Sequence, residues 1–107
     1  MNVYDLTMLE LDPNAGGNCG AFYQNDLINA RLILLKAGQK ISDAHVDSYV
    51  MFYVVKGEVT LKRNDETTVL HENQVFISDP AVVSLATVDG ARLMGVRIST
   101  GKAEQPR

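Results

Sequence analysis

The sequence predicts an all-β domain, and three observations carry that prediction. Short apolar runs of strand length recur along the chain, each bounded by Gly, Asn, Asp or Pro. Nowhere do apolar residues recur at i, i+3, i+4, i+7 over three turns, so no long helix is expected. The run Val50 to Val55, "VMFYVV", is apolar at every position. A sheet with one wet face alternates apolar and polar residues, so this strand is expected to be covered on both faces.

The elements follow in order. "VYDLTMLEL" reads as an N-terminal strand and "DPNAGGN" as the turn after it. "ARLILL" ends at "KAGQ", "YVMFYVV" at "KGE", and "VTLKR" at "NDE". "TVL" leads into "HENQ", "VFI" into "SDP", "AVVSLATV" into "DG", and "ARLMGVRI" into a polar tail. "RNDE" and "VDGA" have the composition of hairpin turns. Alternation places Val50, Phe52 and Val54 on the interior side, with Met51 and Tyr53 facing a second layer. The cover for that second face is expected from another copy of the chain, hence a homodimer, or else from the N-terminal strands.

The whole chain bounds the function. Its 107 residues make one domain: N-terminal strands about 1–27, a core barrel about 28–98, and a polar tail 99–107. A formal net charge of −3 provides no basic field for nucleic acid. No apolar run approaches the ~20 residues of a membrane-spanning helix. "MNVYDLTMLELDPN" lacks the charged and apolar regions of a signal peptide. Cys19 is the sole cysteine, so no internal disulfide forms. A cytoplasmic protein is expected. Cys19, in "GGNCGAF", reads as a small residue at a loop or strand edge, since no base is placed beside it.

The order of "LLKAGQ", "FYVVKGEVTL" and "ENQVFISDPAVV" resembles the cupin superfamily over about Ile28 to Ile98. The resemblance implies a cupin-like double-stranded antiparallel β-barrel of the jelly-roll type, a fold that doubles its sheets to manage their edges. Cupins share G-x5-H-x-H-x3-E-x6-G and G-x5-P-x-G-x2-H-x3-N. In the family, three His and one Glu from these motifs hold a divalent metal inside the barrel. Gly38 and Gly57 fit the ends of the first motif without insertion. Its ligand positions then fall on Ala44, Val46 and Val50. In the second motif Asn73 or Gln74 stands for the glycine, Pro80 matches the proline, Val82 takes the inner glycine's place, the His position falls on Leu85, and Asp89 takes the Asn position. Aliphatic side chains offer no donors, and a divalent metal needs N, O or S at about 2 Å.

The frame is therefore kept and the ligands are gone. His45 and Asp47, in "HVD", lie one residue out of register and point away from the interior, because a slip of one flips every side chain. A bulge near Ser42–Asp43 would turn them inward, with His71 in "LHEN" as a third ligand. Other chemistry is thin. Ser84, next to Leu85, could line the same pocket, with no base assigned to it, and Asp79 and Asp89 sit in ordinary turn sequences.

Three functions follow. The first is a binding module with no cofactor and no catalytic residue, whose pocket of Ala44, Val46, Val50, Phe52, Val83 and Leu85 takes a small apolar or mixed molecule. The second is a metal-dependent enzyme of the dioxygenase or isomerase type, using a divalent metal at His45, Asp47 and His71. The third is a structural dimer with a filled barrel. The sequence leans away from an enzyme.

Overall fold

Nine strands and no helix make up the computed structural model, which describes residues 1–11 and 18–99, the side chains of 43–46 excepted. They are β1 (Cys19–Gln24), β2 (Ile28–Leu35), β3 (Lys40–Val46), β4 (Tyr49–Gly57), β5 (Val59–Arg63), β6 (Glu66–Leu70), β7 (Val75–Ser78), β8 (Ala81–Ala86) and β9 (Ala91–Ile98). All pair antiparallel, in a five-stranded sheet ordered β1-β2-β9-β4-β7 and a four-stranded sheet ordered β3-β8-β5-β6. The two face each other as the walls of a jelly-roll barrel, the all-β class expected from the strand-length runs.

Period-two alternation decides what fills the space between the sheets. Ile33 and Leu35 of β2, Val50, Phe52 and Val54 of β4, and Leu93 of β9 face Val59 and Leu61 of β5 and Val83 and Leu85 of β8 in one buried cluster. Val54 and Leu93 have no exposed surface at all. Phe52 stacks on Phe76 of β7 with ring centroids 6.3 Å apart.

Glycines and asparagines turn the chain between sheets. Gly57 has φ +88°, and a Cβ there would lie 2.3 Å from the Gly90 carbonyl oxygen. Gly38 has φ +80° in open space. The two ends of the first motif are thus both left-handed backbone positions, one of them also sterically closed. In the second motif it is Asn73, at φ 68°, that takes the left-handed conformation, and its Oδ1 accepts from Tyr53 Oη at 2.7 Å. "RNDE" is a hairpin turn joining β5 to β6, with Asn64 at φ 52°.

Two expectations need correction. "VDGA" is not a hairpin turn: β8 and β9 lie in different sheets, and Gly90 at φ 111° carries the chain across. "VYDLTMLEL" is not a strand. The Asp5 carboxylate accepts from the Thr7 backbone N–H (2.9 Å) and hydroxyl (2.6 Å), which closes a turn instead. The only strand within 1–27 among the described residues is β1. The turn expected at 12–17 and the tail from 100 lie outside the described residues.

The N-terminal segment instead lies over the outer face of the five-stranded sheet. Arg92 donates to the carbonyls of Leu6 and Leu9, both at 2.8 Å. Tyr4 meets Phe22 edge to face, and Leu11 touches the space above Gly20. This covers the β1–β2–β9 side, where Leu32 is buried outside the barrel. The β4–β7 side is different: Met51 and Tyr53 are half-buried, while Tyr49, Val75 and Ile77 are exposed. Among the described residues no helix is long and apolar enough to cross a membrane.

Candidate functional site

The barrel is solid at one end and hollow at the other. At the end where β4 finishes and β5 begins, Val54, Leu93, Val59 and Leu61 close the interior. Toward the start of β4 the two sheets part around a cavity of about 250 Å3. Its apolar wall is built from Ile33, Val50, Phe52, Val83 and Leu85. Gly95 of β9 lets Phe52 close over it: a Cβ there would meet the Phe52 ring at 3.1 Å.

A polar link ties the two sheets beside this mouth. Arg63 ends β5, and Ser78 ends β7 opposite Val50. Arg63 Nε donates to Ser78 Oγ at 2.7 Å, and its Nη2 donates to Asp79 Oδ1 at 2.7 Å. Ser78 is buried, and its hydroxyl donates onward to the Asp79 carbonyl at 2.7 Å. The hydrogen bond from Arg63, then its positive charge, hold the Asp79 carboxyl below the usual carboxylate range.

Of the six residues expected to form a pocket, Val50, Phe52, Val83 and Leu85 line the cavity. Ala44 and Val46 belong to β3, where the backbone of Ala44 lies across from Val83 and that of Val46 across from Ala81. Their side chains are outside the described residues. Reasoning from sequence missed Cys19, Ile41 and Gly95, and it missed two charges, Arg31 and Arg97, which also line the cavity. Ser84 is not in the wall. It alternates with Val83 and Leu85 and sits across from Lys62 on the other face.

Asp47 and His71, two of the three residues expected as alternative metal ligands, are not brought together. The β3 ladder does slip by one between Ile41 and Ala44, and beyond the slip the backbone of His45 lies across from Val82. The His45 side chain is outside the described residues. Asp47 is exposed before β4, whereas His71 sits beyond its far end, with Nδ1 2.9 Å from Glu58 Oε2. The nine residues of β4 separate the two by about 27 Å at ~3.3 Å per residue. Asp89 lies at that same far end, beside Glu58 and His71. Val50 and Leu85, at two of the family's ligand positions, are aliphatic and only 2% exposed. Among the described residues no three His, Cys, Asp or Glu converge as a metal site. Neither Val50 nor Leu85 offers a donor to a metal of the kind the resemblance implies.

Comparison with solved structures agrees with this architecture. The Cnp3 cupin domain of Schizosaccharomyces pombe superposes with a TM-score of 0.80 at 15% identity, covering 94% of this chain and 76% of that one. A cupin superfamily protein of Desulfitobacterium hafniense gives 0.76 at 15% identity, covering 88% and 86%. An RmlC-like cupin of Methanocaldococcus jannaschii, described as a double-stranded β-helix, gives 0.70 at 20% identity, covering 88% and 91%. No protein-family model matches the chain, and no curated protein matches it in sequence. The chain has the cupin fold, and the resemblance seen in its motifs is matched by the structure neighbours.

Proposed function

We propose that this protein is a non-catalytic binding module that holds a small molecule in the mouth of its barrel without a metal. One observation carries the reading. Val50 and Leu85, at two of the four positions where the resemblance implies metal ligands, are aliphatic and with Phe52 and Val83 wall one side of an open cavity. Such a wall binds an apolar body, and these four side chains carry no group that moves a proton or activates water. The lone free thiol of Cys19 agrees with a cytoplasmic setting.

Val50→Trp tests the pocket, because an indole there occupies the cavity. The variant is expected to keep its melting transition and to lose small-molecule contacts seen by ligand-observed NMR. Unchanged binding removes the pocket from the account. Plasma mass spectrometry on tagless protein, before and after chelation and reloading, tests the metal. Near-zero metal is expected, with no rise in melting temperature on adding Zn²⁺, Fe²⁺, Mn²⁺ or Ni²⁺. About one metal per chain that resists dialysis would return the enzyme reading.

A second copy of the chain is proposed to cover the exposed β4–β7 face. Ile77, 69% exposed, sits there with Tyr49 and Val75, and apolar residues grouped on one face mark association surfaces. Light scattering should give a dimer mass for the native protein and a monomer mass for Ile77→Lys. A native monomer ends this reading.

A further inference from the structure

We infer that the ligand is a small organic carboxylate, its anionic head held by Arg31 and Arg97 and its apolar body in the cavity below them. This rests on the pocket reading above and names the chemical class that the pocket takes.

Four of the arginines divide into two kinds. Arg63 and Arg92 are spoken for, the first by Ser78 and Asp79, the second by two backbone carbonyls. Arg31 and Arg97 have no hydrogen-bond or ion-pair partner among the described residues, and both line the cavity. Arg31 Nε is buried with no acceptor. A buried, charged donor without an acceptor is costly, and native proteins rarely leave one unmet.

Their placement adds to this. Arg31 pairs with Gly95, and Asn29 pairs with Arg97, so the two arginines are diagonal neighbours on one face of β2 and β9. Diagonal positions are within reach of long side chains, and like charges so placed repel. The place of the absent side chain at Gly95, across from Arg31, is filled by Ile33 and Phe52, which bring the apolar wall up beside that arginine. An anion between the two guanidinium groups removes both penalties at once. Guanidinium forks match a carboxylate in two parallel hydrogen bonds. The space below is apolar and, at about 250 Å3, small. A compact apolar body with one carboxylate gives both arginines a partner and fills the apolar space.

Calorimetry and ligand-observed NMR with matched probes test this: the straight-chain acids from acetate to octanoate, with benzoate and phenylacetate, each against its primary alcohol. At least one acid is expected to bind about tenfold more tightly than its alcohol, the value of one charge-assisted hydrogen bond. Arg31→Gln and Arg97→Gln should each remove about that factor for the acid and leave the alcohol unchanged, a split that a merely structural role would not produce. Inorganic phosphate alone should not compete. Alcohols binding as well as acids, or acids unaffected in both variants, would overturn the carboxylate and leave the pocket standing. Phosphate competing with the acids would overturn it too, as a generic anion site. Neither acids nor alcohols binding would remove the pocket and the carboxylate together.

Discussion

The two ends of the barrel are built from the same strands and do opposite things. At the closed end, β4, β5 and β9 contribute Val54, Val59, Leu61 and Leu93, which exclude solvent almost completely. Thr87 completes that end. Its hydroxyl donates to the Glu58 carbonyl at 2.8 Å and accepts from the Gly90 N–H at 3.1 Å. At the mouth, β2, β4 and β9 present Arg31, Val50, Gly95 and Arg97 around an open space. The closed end is held by apolar packing, the mouth by the polar link from Arg63 to Ser78 and Asp79. One sheet face can therefore supply stability from one half of each strand and recognition from the other.

Truncation at the two ends gives the sharpest contrast. Leu93→Ala should cost about 2–5 kcal/mol in denaturant unfolding, because a cavity opens in a tightly filled region. Val50→Ala enlarges a space that already exists and should cost about 1–2 kcal/mol, the transfer of its lost methyl groups. Equal losses would mean that the mouth is packed as firmly as the closed end.

The motif glycines extend the contrast to the backbone. Gly57→Ala, at the closed end, meets a left-handed φ and a carbonyl oxygen at 2.3 Å. It should cost about 3 kcal/mol or more, since backbone strain alone accounts for 1–3. Gly38→Ala meets the same φ problem in open space and should cost only about 1 kcal/mol. Similar melting temperatures for the two variants would show that the close approach of Gly57 to Gly90 is not what closes that end.

How much of this was legible in the sequence differs by region. "YVMFYVVKG" is a strand, Tyr49–Gly57, because its apolar run stops where Gly57 must turn. The N-terminal segment was misread because an apolar count does not register the Asp5 carboxylate competing for the Thr7 N–H. The apolar half of the cavity came from register, once Gly38 and Gly57 fixed the frame. Its charged half was in view and overlooked. "ARLILL" and "ARLMGVRI" read as core strands, yet Arg31 shares parity with Ile33 and Leu35, and Arg97 with Leu93 and Gly95. A charge on the buried face of an apolar strand was the available signal. That the two arginines are neighbours was not legible, because it depends on β2 pairing with β9 across most of the chain.

The smallest expected effect lies in the polar link at the mouth. Asp79 is largely exposed, so its ion pair with Arg63 is screened and contributes little at neutral pH. Its direction with pH is nevertheless fixed. The Arg63 hydrogen bond and charge lower the folded pKa of Asp79 below the ordinary 3.8. A carboxyl with a depressed folded pKa gives its full stabilisation above the unfolded value and loses it as pH falls through the folded one. Native protein should therefore melt slightly above Asp79→Asn at neutral pH. The two curves should converge below about pH 3.8, and high salt should narrow the gap. A gap that persists unchanged in acid would assign the effect to the shape of the Asp79–Pro80 turn and not to charge. No gap at any pH would leave the buried bond from Arg63 to Ser78 as the part of the link that holds the mouth.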